Sequence, residues 1–208
     1  MKYYLSSFKL GNETTNLKYL VSKTNMKFGY IPNALDFTSV DSTRRARHIE
    51  DDMKDIEQHG VEIEVLDLKQ YFGKTEELKA KLSTLGGIYV SGGNTFVLRQ
   101  AIYLSGLEKI FSDLQKRDDF IYVAYSAGVC VLTPSLKPYA ITDDATDFPY
   151  TELQSQIWEG LGILNFAFEP HFDSDHPESK STDIEIRHCI DNKILFKAYR
   201  DGEVLILE

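Results

Sequence analysis

Short apolar runs rich in β-branched and aromatic residues alternate along this chain with stretches whose apolar positions recur every three or four residues. "KYYLSSF", "KFGYIPNAL" up to Pro32, "VEIEVLDL", "GGIYVSGG" and "FIYVAY" have the composition and length of strands, and the third alternates apolar with acidic residues as a half-exposed strand does. Between them, Ala46, Ile49, Met53 and Ile56 fall on one face of a helix predicted over 42–59, with Ser42 as its N-cap and Gly60 as its stop. "TEELKAKLSTL" predicts a short helix. A longer helical stretch starts at Asn94, with Phe96, Val97, Leu98, Ala101, Ile102, Leu107, Ile110, Phe111 and Leu114 as its apolar face. This order predicts an α/β fold, a mostly parallel sheet with helices on both faces.

Beyond Ser126 the pattern changes. Pro134, Pro138 and Pro149 among many polar residues predict loops and short strands over 133–160. "LGILNFAFEPHF" is an apolar run ending at Pro170-His171, "STDIEIRHCI" reads as a helix, and "ILFKAYRDGEVLILE" as two strands joined by a turn at Asp201-Gly202. No repeat or linker interrupts the pattern, so residues 1–208 are expected to form a single domain.

Composition narrows the partners. Of 208 residues 32 are acidic and 23 basic, a formal charge of −9, which argues against nucleic acid. The basic string "RRAR" runs into "HIEDDMKDIE" and reads as the charged face of a helix. Two cysteines, Cys130 and Cys189, no apolar run of membrane-spanning length and no signal-peptide core lead us to expect a cytoplasmic protein without membrane or disulfides. Oligomeric state is not readable from the sequence.

Parallel α/β sheets place chemistry at the carboxyl ends of their strands. Two such ends carry small residues before a helix, "VSGGNTF" and "AYSAGV". The second is close to the G-x-S-x-G elbow, with Ala124 for the first glycine, and makes Ser126 a candidate nucleophile; a turn serine or N-cap is the competing reading. The N–H groups of Gly93 and Ala127 are the candidate oxyanion donors, with Gly92 and Asn94 beside them for substrate. No nucleotide-binding glycine string follows. Of five histidines, His48 and His59 sit on or just past the acidic helix and His188 within another. His171, in a loop after an apolar strand, is the best base, with His176 as fallback. The acid is Asp201, or alternatively Asp143 or Asp144. "HFDSDH" gathers His171, Asp173, Asp175 and His176 but matches no familiar zinc string, so no metal and no cofactor are expected.

Together, "GGIYVSGGNTFVL", "YSAGVCVLTPSL" and "FAFEPHF" resemble the peptidase E family of serine-type aspartyl dipeptidases, in matching order from about Gly86 to Gly202. The resemblance implies a flavodoxin-like, three-layer α/β fold related to class I glutamine amidotransferases, with Ser126 as nucleophile and His171 as base acting on short peptides. The family's glutamate in P-E-G corresponds to Asp201 in R-D-G, while "ITDD" keeps Asp144 as the alternative acid. Where family members tend to show T-R, this chain has Thr182-Asp183, with Arg187 one turn on as a compensating cation. Aspartyl specificity is therefore not expected to carry over unchanged. The replacements at Asp201 and Asp183 also support a different class of function, a catalytically degenerate binding or regulatory homologue. An amidotransferase-like acyl transfer is disfavoured because the elbow holds Ser126, with Cys130 a helical turn beyond.

Overall fold

A computed structural model describes residues 1–153 and 155–208. Eight strands form two sheets. β1 (Lys2–Ser6), β2 (Lys27–Ile31), β3 (Glu62–Val65), β4 (Gly87–Val90), β5 (Ile121–Tyr125) and β8 (Val204–Leu207) make a six-stranded sheet in the order β3-β2-β4-β5-β1-β8. All of its pairings are parallel except β1 with β8. β6 (Ala167–Glu169) and β7 (Phe196–Ala198) form a small parallel sheet of their own.

The alternation of side chains along each strand divides the core in two. Tyr4, Phe28, Tyr30, Tyr89, Ile121, Val123 and Tyr125 face α1 (Thr14–Val21) and α2 (Ser42–Glu57), where Leu17, Leu20, Val21 and Ile56 are buried. Tyr3, Leu5, Ile88, Val90, Tyr122 and Ala124 face α3 (Thr75–Ser83), α4 (Thr95–Ser105) and α5 (Leu107–Leu114). Connections running one way along the sheet (β1 to β2, β2 to β3) use one face, and those running back (β3 to β4, β4 to β5) use the other. Right-handed crossovers require that arrangement. The result is the flavodoxin-like three-layer sandwich.

Several local details differ from the sequence reading. The N-cap of α2 is Asp41, whose carboxylate accepts from the Arg44 N–H at 2.7 Å, not Ser42. Ala46 is exposed, while Asp52 on the same helix is fully buried. α1 was not anticipated. The stretch from Asn94 is two helices, because Gly106 takes a left-handed conformation (φ 74°) and ends α4. The two C-terminal strands do form, but they join different sheets. Residues 133–160 contain one short helical turn at Lys137–Ile141 and an isolated bridge between Ser135 and Glu159; Gln154 lies outside the described residues. Among the described residues, no helix is long and apolar enough to cross a membrane.

Candidate active site

Three strand ends meet at the carboxyl edge of the main sheet. β5 ends at Tyr125, and Ser126 then adopts φ 46° and ψ −119°, a sparsely populated region for a residue with a side chain. That turn sends the chain directly into α6 (Ala127–Cys130) and lifts the serine out of the strand. Its hydroxyl caps nothing and makes no hydrogen bond with a described residue. A turn serine or N-cap would have been engaged by the helix N–H groups, so the hydroxyl is free for other use.

The neighbouring corner after β4 lies close against it. A side chain at Gly92 would come within 2.6 Å of the Tyr125 ring and 3.2 Å of Ser126 Cβ. Gly93 has φ 137°, and a Cβ there would stand 2.4 Å from the Ala34 carbonyl oxygen. Glycine at 92 thus lets the two corners touch, and glycine at 93 lets the same loop pack against the backbone of Ala34. Asn94 caps α4, accepting from the N–H groups of Phe96 and Val97 at 2.8 and 3.1 Å, and donates to the Asp144 carbonyl at 3.0 Å. Its amide is fully engaged in holding the loop. The N–H groups of Gly93 and Ala127 donate to no described backbone acceptor.

The histidine arrives from the small sheet. After β6 the chain passes Pro170, and His171 is held with φ 62°. Its N–H donates to Ser7 Oγ at 2.8 Å, and Thr182 Oγ1 donates to the Pro170 carbonyl at 2.8 Å. The ring is buried, with Nδ1 2.7 Å from Asp201 Oδ1. That oxygen also accepts from Ser7 Oγ at 2.9 Å. Asp201 sits in the turn between β7 and β8, fixed by its own N–H donating to Ser174 Oγ at 2.8 Å. Neither of the other two acids bonds to the imidazole among the described contacts. Asp144 is exposed and accepts from the Thr146 N–H and hydroxyl, while Asp143 is bound to the Thr95 N–H at 2.8 Å.

His176 stacks on His171 with ring centroids 3.6 Å apart, and Phe8 meets His171 edge-on at 5.8 Å. Burial first, and then the charge of His176, hold the His171 pKa below its ordinary value against the opposing pull of Asp201 and Glu178. The imidazole is therefore neutral near pH 7, as a base has to be. Ser126 and His171 line one small cavity together with Thr95, Cys130, Tyr139, Thr142, Asp143, Pro170, Glu178, Thr182 and Glu185. Cys130 is buried and its thiol is pushed well above the ordinary range by burial, which leaves it a poor nucleophile.

His171, His176 and Glu178 bring ligand-type atoms within 4.8 Å of one another. The stacked rings lie nearly parallel, 7° apart, so their in-plane lone pairs do not converge on one point, and His176 Nδ1 already accepts from the Glu178 N–H at 3.2 Å. Asp173 is paired with Arg200 and Asp175 is exposed. Arg187 and Asp183 both lie on the exposed face of α7 (Ser179–Asp191), whereas Thr182, Glu185 and Cys189 face inward. The cavity wall thus holds Glu185 where the sequence had drawn attention to Asp183. Neither Glu185 nor Asp52 was singled out from the sequence, and spacing along their helices was the available signal.

The family model for peptidase family S51 matches residues 7–207. An uncharacterized peptidase of Listeria monocytogenes is 28% identical over 127 residues, covering 61% of this chain and 58% of that protein. Peptidase E of Streptomyces coelicolor is 32% identical over 100 residues, covering 48% of this chain and 37% of that protein. The chain thus spans less than two thirds of the length of either relative. Among solved structures, a putative peptidase E protein from Listeria monocytogenes EGD-e superposes with a TM-score of 0.71 at 19% identity, over 100% of this chain and 98% of that one. A peptidase from an acI-B1 Actinobacterium superposes with a TM-score of 0.69 at 17% identity, over 100% and 83%. These two likenesses are of fold.

Proposed function

The chain belongs to peptidase family S51, and from that premise we propose that it is a serine peptidase of short peptides, with Ser126 as nucleophile, His171 as base and Asp201 as the acid that orients it. One observation carries the reading: an unengaged serine hydroxyl on a strained strand-to-helix corner shares a cavity with a buried imidazole whose Nδ1 is bonded to a carboxylate.

In this mechanism His171 Nε2 takes the Ser126 proton while Oγ bonds to the peptide carbonyl carbon. The carbonyl π pair moves onto oxygen, and the N–H groups of Gly93 and Ala127 receive that charge. When the carbonyl re-forms, the C–N bond breaks and the amine leaves with the proton from His171. An ester on Ser126 remains. Water, deprotonated by the same imidazole, attacks the ester and releases the acid and the free serine. Asp201 holds the tautomer with Nδ1–H and stabilises the imidazolium formed in each half. No Ser126–His171 hydrogen bond occurs among the described contacts; such bonds are often long in a free enzyme and tighten on substrate. None of these steps uses a metal or cofactor, and a narrow cavity favours dipeptides over folded chains.

The test is direct. A fluorophosphonate should label Ser126, and Ser126→Ala should lose at least about 10³-fold in dipeptide turnover while keeping its unfolding midpoint. An alanine variant that still turns over peptide at the parent rate would end the proposal.

A further inference from the structure

The cavity beside Ser126 has a chemical character that the acyl-transfer steps do not use. Its wall carries carboxyl groups from separate segments, namely Asp143 after the 137–141 turn, Glu178 just before α7 and Glu185 within α7. No lysine or arginine lines it. Glu169 of β6, also buried, stands beside Glu185, and its Oε1 accepts from the Cys189 thiol at 3.3 Å. Glu185 is only 3% exposed. Its Oε1 has no hydrogen-bond partner among the described residues, and neither has the hydroxyl of Thr142, which lies near it without reaching hydrogen-bond geometry.

Glu185 and Glu169 bond to each other, and the Glu185 oxygen left without a partner in so enclosed a place is a standing cost unless something arrives to meet it. The group that meets several carboxyls at once is a cation, which compensates their ionisation. A substrate carboxylate would face the opposite situation, with three acids in the wall and no guanidinium or ammonium to hold it. Size narrows the choice. The free space is about 20 Å³, room for one water-sized group, which fits an ammonium and is small for a planar guanidinium. Direction narrows it again. Ser126 is half-buried and Glu185 almost wholly so, so the cavity runs inward from the nucleophile. An α-ammonium is tied by two bonds to the carbonyl under attack and stays at the entrance. A side-chain ammonium can be placed in the cavity while its methylene stem lies across the mouth.

We propose that this cavity is the pocket for an ammonium-tipped side chain, lysine or ornithine, on the residue that supplies the acyl group, and that Glu185 is its specificity-determining residue. The proposal rests on the serine peptidase reading for its chemistry, though not for its binding. Burial favours the protonated acids, raising Glu185 to about 9 with Glu169 adding to the effect and Asp143 to about 7, so Glu185 is the one held neutral at pH 7. Entry of an ammonium lets Glu185 ionise, and its proton leaves to solvent.

The experiment compares lysyl, norleucyl, arginyl and aspartyl dipeptides that share one second residue. Norleucine keeps the stem of lysine and lacks its charge. For the wild-type protein, kcat/KM should favour lysyl over norleucyl by about tenfold or more, with arginyl behind lysyl and aspartyl last. Glu185→Gln should bring the lysyl-to-norleucyl ratio down to within about threefold, and Asp143→Asn should lower the same ratio by less. Norleucyl or aspartyl peptides cleaved as well as lysyl, or a ratio unmoved in a folded Glu185→Gln protein, would overturn the pocket. Calorimetric titration of Ser126→Ala with the lysyl and norleucyl peptides reads the same preference without turnover. About tenfold tighter binding of the lysyl peptide there supports the pocket even if no peptide is cleaved, whereas equal binding overturns it. Failure of fluorophosphonate to label Ser126 would count against the peptidase reading alone.

Discussion

The two residues at the end of β5 each adjoin buried acid, and the two groups of acids are built in opposite ways. Tyr125 faces the α1–α2 side, where Asp52 is fully buried and fully partnered. Its Oδ2 accepts from the Tyr30 and Tyr125 hydroxyls at 2.6 Å each, and its Oδ1 is paired with Lys9. His48 Nε2 adds a contact at 2.6 Å to the Tyr125 hydroxyl. Burial opposes ionisation of Asp52, but His48, Lys9 and Tyr125 together outweigh it and hold the carboxyl below its usual range. Ser126 faces the cavity where Glu185 and Asp143 are raised and where Glu185 keeps an oxygen without a partner. Burial alone therefore does not distinguish an acid that supports the fold from one that waits for a ligand. Completeness of its hydrogen bonding does. Asp201 lies between these extremes, with one oxygen committed to both His171 and Ser7.

If that distinction holds, the largest response belongs to Asp201. Asp201→Asn should lower kcat by about 10³- to 10⁴-fold with little change in stability, because an amide leaves the imidazole in the wrong tautomer. Steady-state kinetics that fell less than about tenfold would separate Asp201 from the base. Next comes Asp52→Ala, which strands Lys9 and two buried tyrosine hydroxyls. We expect a loss of about 3 kcal/mol in urea unfolding, and a loss below about 1 kcal/mol would deny Asp52 its structural role. Glu185→Gln should change stability at neutral pH by less than about 1 kcal/mol, since it exchanges one neutral buried group for another. The pH dependence sharpens this. An acid raised in the folded state binds more protons folded than unfolded between its unfolded pKa near 4.5 and its folded value of about 9. The parent should accordingly lose stability as pH rises through that window, and the Gln variant should show a flatter curve.

The smallest effect concerns His176. His176→Phe keeps a stacked ring and removes a charge that helps hold the His171 pKa down. The His171 pKa should therefore rise, and the acidic limb of kcat/KM should move to higher pH. A limb that stayed in place, or moved down, would show that burial alone sets the base.

The parts of this site written in consecutive residues were legible in the sequence. Small residues at Gly92, Gly93, Ser126 and Ala127 announce tight corners, and a histidine straight after Pro170 announces a loop. What was not legible depends on phase and on distant partners. On α7, Thr182, Glu185 and Cys189 point inward while Asp183 and Arg187, on a different face of the helix, point outward. That offset moved the pocket's charge from the residue the sequence suggested to its neighbour on the other face. Asp52 stands in a run of acids that reads as a solvated surface, and only Lys9, Tyr30 and Tyr125, brought in from three strand ends, make it a core residue. Asn94 looked available for substrate because the capping of α4 is a matter of local geometry that composition does not declare. The final segment read as two strands joined by a turn at Asp201-Gly202, and nothing in the string tells that those strands pair with β6 and β1 and not with each other.

That last arrangement ties the proposed acid to the seam between the two sheets. β8 is a half-buried edge strand attached to the main sheet through β1, while β7 belongs to the small sheet that delivers His171. Asp201 occupies the hinge where the two sheets are stitched together. Fraying of that edge strand would withdraw the carboxylate from the imidazole while the rest of the molecule stayed intact. On gentle heating, silence at the nucleophile should come before collapse of the fold.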